Sequence, residues 1–166
     1  MRAVHPAGLS IEDLRKETDI KHTRGSGPGG QHRNRAATEV QLRHRPTGIR
    51  AAAGERRSQA ANLKVAWFRL RKRLALEYRS PLAQNAPQPR DYQASDLWRG
   101  RVQQKKICVN LEHTDFPTLL AEVLDLFHAW ECDEKATAEA LGITRTQLVR
   151  FVGESILRPL RENQKR

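Results

Sequence analysis

The feature that most limits the fold is a change of hydrophobic period partway along the N-terminal half. From Thr38 to Arg45 side chains alternate, with Val40, Leu42 and His44 set against Glu39, Gln41 and Arg43. A period of two belongs to a half-buried strand. Pro46-Thr47-Gly48 reads as a turn and Ile49 to Ala53 as the return strand. From Arg56 to Arg79 the period becomes helical: Leu63, Trp67, Leu70 and Leu74 follow at spacings of four, three and four, while Lys64, Arg71 and Lys72 lie off the stripe. Upstream, Ser10-Ile11-Glu12-Asp13 predicts a helix start with Ser10 as cap, and Asp19 to Thr23 a short strand. A small sheet with one long helix packed on it buries both apolar faces, so the fold class is α+β.

Beyond this the pattern changes again. Residues 80–91 contain Pro81, Pro87 and Pro89 among polar residues and read as a linker. Residues 96–106 are basic and suggest a short helix, and residues 107–111 a short strand. From Asp115 the chain is helical, with Leu119, Leu120, Val123, Leu124 and Phe127 as a broad apolar face. Residues 134–152 resemble a helix-turn-helix, with Ala138 at the crossing, Gly142 in the turn, and Leu141, Ile143, Leu148 and Phe151 as shared core.

Charge separates the two halves. The net charge of +11 divides into +14 over residues 1–106 and −3 over residues 107–166. A basic front half calls for a polyanionic partner, most simply nucleic acid. The acidic back half disfavours DNA reading by residues 134–152, where Arg145 and Arg150 are the cations of the second helix. A protein or rRNA surface suits it better. No apolar run has membrane-spanning length and no signal pattern opens the chain, so a cytoplasmic protein without a membrane partner is expected. Cys108 and Cys132 stand apart, without CxxC spacing or clustered histidines, and read as reduced thiols, not as disulfide or metal ligands.

The chemistry concentrates in residues 24–35, RGSGPGGQHRNR. No phosphate-binding GxxxxGK[ST] or strand-fed GxGxxG is present, and no nucleophile–base pair or carboxylate pair is nearby. Gly29 and Gly30 permit positive φ and close backbone approach, with Pro28 stiffening the stem. Gln31 does not titrate near neutral pH, so it is neither general acid nor base. Its side-chain amide and backbone N–H suit orientation of a water and hydrogen bonding to a developing oxyanion. Arg24, Arg33 and Arg35 suit phosphate contacts, and His32 a nucleic-acid or packing contact. The implied chemistry is hydrolysis by amide dipoles with nucleic acid completing the site, and no cofactor or metal is called for.

Residues 24–74 resemble the GGQ domain of class I peptide-chain release factors. The resemblance rests on R-x-S-G-x-G-G-Q-H-x-N (24–34), the following strand, the H-x-P-T-G-I turn (44–49), and the E-R-x-S-Q helix start at Glu55, Arg56 or Arg57, Ser58 and Gln59. It implies hydrolysis of the peptidyl-tRNA ester at the ribosomal peptidyl transferase centre. The glutamine matching Gln31 would place the water, and its backbone N–H would stabilise the transition state, with Gly29 and Gly30 allowing that geometry. Arg24, Ser26, Gly27, Pro28, His32, Arg33, Asn34, Arg35, Arg56, Arg57 and Ser58 would contact large-subunit rRNA or the tRNA end. The family usually has valine where this chain has Arg33, which adds charge beside the tip. Neither stop-codon motif of the family, Pro-Ala/Val-Thr or Ser-Pro-Phe, stands in a matching context. The chain therefore resembles the short, codon-independent relatives that rescue stalled ribosomes, although its C-terminal segment is not the basic tail typical of them.

These readings divide the chain into a GGQ-type domain (1–80), a Pro-rich then basic linker (81–106) and a helical helix-turn-helix-like segment (107–166) that offers a surface to a protein partner. Three functions follow: a codon-independent peptidyl-tRNA hydrolase acting in ribosome rescue, an RNA-binding protein on the same fold with little hydrolysis, and a DNA-binding regulator working through residues 134–152.

Overall fold

A computed structural model of the chain describes residues 4–23 and 38–153. The chain forms two compact units, one over Pro6–Tyr78 and one from Arg79 onward that also takes in the residues preceding Pro6. The elements mix helix and strand, as an α+β fold requires.

The first unit opens with a 3-10 turn (Pro6–Gly8) and helix α1 (Ile11–Lys16). Ser10 caps α1: its Oγ accepts from the Asp13 N–H at 3.1 Å and donates to the Asp13 carboxylate at 2.8 Å. Strands β1 (Thr18–Thr23), β2 (Glu39–His44) and β3 (Arg50–Ala53) form an antiparallel sheet in that order. The register pairs Ile20 with Leu42 and Leu42 with Ala51, so the inward set continues across all three strands. Val40, Leu42, His44, Ala51 and Ala53 are buried, and Gln41, Arg43 and Ala52 face out, as period-two alternation predicts.

The buried imidazole of His44 explains the H-x-P-T-G-I stretch. Its Nε2–H donates to Glu17 Oε2 at 3.2 Å, and its Nδ1 lies 2.8 Å from the Thr47 hydroxyl. Gly48, at φ +72°, closes the turn by donating its N–H to the His44 carbonyl at 2.8 Å.

Helix α2 (Gln59–Glu77) covers the inner face of the sheet, burying Ala66, Trp67, Leu70, Leu74 and Ala75. Leu63, expected on this stripe, is half-buried, and Asn62 occupies the buried row instead. Helix α2 begins at Gln59 rather than Arg56, because Ser58 is its N-cap and the Arg56 backbone is held by Asn62. Two arginines one turn apart seal the free edge of β3. Arg69 donates to the Ala52 carbonyl at 2.8 Å and Arg73 to the Arg50 carbonyl at 2.5 Å. Four helical residues rise about 6 Å and two strand residues about 6.6 Å, so these donors and acceptors are in step.

The second unit corrects the linker reading of residues 81–106. This stretch contains helix α3 (Leu82–Asn85), a 3-10 turn (Pro89–Asp91) and helix α4 (Asp96–Arg101). Pro81 and Pro89 start turns of helix instead of preventing them. Trp98 is fully buried, donates its indole N–H to the Leu141 carbonyl at 2.8 Å, and meets the Phe151 ring edge-on. The basic stretch is helical only to Arg101. It then becomes a hairpin of β4 (Val102–Gln103) and β5 (Lys106–Ile107), so Ile107 is the single residue of the expected 107–111 strand that is extended and paired.

Helix α5 (Phe116–Ala129) buries Phe116, Leu119, Leu120, Val123 and Leu126. Leu124 and Phe127 are half-buried, and the buried row takes Asp125 in their place. The cost of burying that carboxylate is offset by the Ser80 backbone N–H and hydroxyl, both of which donate to it. Glu122 is bound in the same way by the Tyr92 hydroxyl and by the N–H and hydroxyl of Ser95. Helix α6 (Glu134–Ala140) follows, capped by Asp133. A turn with Gly142 at φ +67° then leads to helical residues 145–153, here α7, whose first turn is capped by the Thr144 hydroxyl. Leu141, Ile143, Leu148 and Phe151 are buried in this corner. Both cysteines are free thiols and exposed. Among the described residues no helix is long and apolar enough to cross a membrane.

Candidate active site

The glycine-rich stretch joins two neighbouring antiparallel strands. β1 ends at Thr23 and β2 begins at Glu39, and these residues are register partners. Arg24, Ser26, Gly27, Pro28, Gly29, Gly30, Gln31, His32, Arg33, Asn34 and Arg35 all lie in 24–37, outside the described residues. The structure defines the root from which that segment leaves and returns.

The root is fastened to the start of α2 by one buried side chain. Asn62, with no exposed surface, donates from Nδ2 to the Thr38 carbonyl at 2.7 Å and to the Arg56 carbonyl at 2.8 Å. Its Oδ1 accepts from the Arg56 N–H at 2.9 Å. Every hydrogen-bonding direction used here goes to backbone, so the amide acts as a three-point staple between the end of the loop and the residues leading into α2. Packing is close beside it: a Cβ added at Gly54 would meet the Glu39 side chain at 3.1 Å.

Of the expected RNA-contacting residues, Arg56, Arg57 and Ser58 are described, and the staple brings them to the loop root. Both arginine side chains are exposed and neither is ion-paired to a described residue. Ser58 Oγ accepts from the Ala61 N–H at 3.4 Å, so this hydroxyl starts the helix.

Glu55, the first residue of E-R-x-S-Q, serves the scaffold. Its carboxylate pairs with Arg69 at 2.5 Å and accepts from the Gly54 N–H at 3.0 Å. Burial pushes its pKa up, but the amides of Glu55 and Gly54 and the Arg69 guanidinium outweigh this and hold it below the ordinary value. The arrangement sets Arg56 and Arg57, both exposed, at the start of α2, where Asn62 ties the Arg56 backbone to the Thr38 carbonyl at the loop root.

Asn62, Thr38 and the His44–Glu17 pair escaped the sequence reading. A signal for Asn62 was present. It falls in register with Ala66, Leu70 and Leu74 at intervals of four, and a polar residue on a buried row must be hydrogen-bonded.

The RF-1 domain family matches residues 9–115, and the chain belongs to that family. It is 34% identical over 149 residues to peptide chain release factor 2 of Caulobacter vibrioides, an alignment covering 82% of this chain and 37% of that protein. It is 48% identical over 66 residues to peptide chain release factor 2 of an Acidovorax species, covering 40% of this chain and 17% of that protein. A mitochondrial peptide chain release factor-like protein of Saccharomyces cerevisiae, itself uncharacterized, is 48% identical over 54 residues, covering 32% of this chain and 35% of that protein. The chain thus spans well under half the length of these relatives.

Proposed function

We propose that this chain is a codon-independent, release-factor-like hydrolase that cleaves the ester between peptide and tRNA on ribosomes in the cytoplasm. The observation that carries the reading is the R-x-S-G-x-G-G-Q-H-x-N stretch set between paired strand ends within the RF-1 domain match. In this reading Gln31 orients the attacking water through its side-chain amide, and its backbone N–H donates to the oxyanion as the carbonyl carbon becomes tetrahedral. Gly29 and Gly30 let the backbone approach the ester. Arg24, Arg33, Arg35, Arg56 and Arg57 bind the phosphates of large-subunit rRNA and of the tRNA end, which complete the site. The chemistry needs no cofactor, because a water, amide dipoles and the nucleic acid suffice.

The test is release of labelled peptide from ribosome complexes with a stop codon, a sense codon or no codon in the A site. Comparable release from all three is expected. Release confined to the stop codon would contradict codon independence. Tight ribosome binding without release would instead favour the RNA-binding reading.

A further inference from the structure

Lys105 and Lys106 stand at the tip of the β4–β5 hairpin. Val102 pairs with Ile107 and Gln103 with Lys106, leaving a two-residue loop, Gln104-Lys105, with φ of +47° and +60°. Positive φ at both central residues marks a type I′ turn, for which Asn-Gly is the favoured sequence. Two L residues with long side chains are disfavoured in that conformation. The strained backbone is held in place: the Thr144 N–H donates to the Lys105 carbonyl at 3.1 Å, bracing the tip against the cap of α7. The pair is costly for a turn of this type, and the two side chains it carries to the tip are long and polar.

Their chemistry is uniform. Gln103, Gln104, Lys105 and Lys106 are all exposed, while Val102 and Ile107 on the other face of the hairpin are half-buried. Between Asp96 and Glu112 the chain has four cations and no acid, although residues 107–166 are net acidic. Arg99 pairs with Asp96 and Arg101 with Asp115. Lys105 and Lys106 are ion-paired to no described residue, so the positive charge of this stretch is concentrated at the tip. Two ammonium groups flanked by amide donors fit a phosphate backbone.

We propose that this hairpin tip is an RNA-docking prong of the second unit, separate from the hydrolytic loop, that binds the backbone of structured RNA. The choice of RNA rests on the ribosomal reading above.

The test compares the full-length chain with Gln104→Asn/Lys105→Gly and with the same pair plus Lys106→Gln. The probes are an RNA stem-loop, the DNA stem-loop of the same sequence, and purified large ribosomal subunits, each titrated across a salt series. The Asn-Gly turn suits the backbone, so the first variant should melt at or above the wild-type temperature while binding RNA more weakly. Removal of both lysines should weaken RNA binding about tenfold at low salt and reduce the salt slope on the base-paired stem by about 1.8. Unchanged affinity and slope in folded variants would show that the tip is only a turn. Equal loss on RNA and DNA, or a loss on DNA alone, would overturn the assignment to RNA. Peptide release by Gln31→Ala, measured alongside, separates the two readings. If it is undiminished, the hydrolase proposal fails whatever the tip variants do. If it is lost while the tip variants bind normally, only the prong fails.

Discussion

Replacing Asn62 with alanine should both destabilise the first unit and impair its loop. The side chain makes three hydrogen bonds to backbone, at 2.7, 2.8 and 2.9 Å. At about 1 kcal/mol each, reduced somewhat because water can reach part of this corner, their loss amounts to about 2–3 kcal/mol. With tenfold per 1.4 kcal/mol, the unfolding equilibrium shifts about 30- to 150-fold. For a unit of this size that is a fall in Tm of about 10–20 °C. Asn62→Asp is nearly isosteric but sets carboxylate oxygen against the carbonyls of Thr38 and Arg56, and should be no better at neutral pH. The loop effect is distinct. With Thr38 released from Arg56 the loop root is free to shift, and displacement of a reacting group by about 1 Å costs up to about 100-fold in rate. Urea unfolding followed by circular dichroism gives the first quantity. Single-turnover peptide release, at a temperature where the variant is folded, gives the second. A loss of stability below about 1 kcal/mol would refute the staple, and stability lost with release unchanged would refute its effect on the loop.

Two further outcomes follow from buried and charged groups. Glu55 has a folded-state pKa below its ordinary 4.5, so its ionised form stabilises the fold. That contribution is present above pH 4.5 and is lost as the pH falls through the lower folded value, so Glu55→Gln should flatten this part of the acid limb of a stability–pH curve; an unaltered limb would show that the carboxylate contributes nothing. Trp98→Phe leaves the Leu141 carbonyl without its donor in a fully buried site and should cost about 1–3 kcal/mol by urea unfolding, whereas a residue in an unstructured linker would cost nothing.

The legible parts of the fold were those fixed by local patterns. Ser10 and Asp13 announce a cap, β2 alternates strictly, and α2 carries a stripe interrupted only where Asn62 replaces Leu63 on the buried row. The parts that were misread depend on partners far along the chain. Residues 81–106 look like a linker by their prolines, yet Trp98 is fixed by Leu141 and Phe151, and Ser95 by Glu122, contacts invisible to any short window. The turn at Gln104-Lys105 was hidden because neither residue is a turn former, and its conformation depends on Thr144. At the candidate site, Arg56, Arg57 and Ser58 stand out in the sequence through a motif, but Asn62, which ties the Arg56 backbone to Thr38 at the loop root, does not.

The proposed mechanism is tested most directly at Gln31. Wild type and Gln31→Ala are compared for single-turnover release of labelled peptide from ribosome complexes, with ribosome binding measured on the same preparations. Loss of the side-chain amide should slow release about 100-fold, while affinity, set by the arginines, changes little. Undiminished release by Gln31→Ala would contradict the assignment of Gln31 to the chemistry.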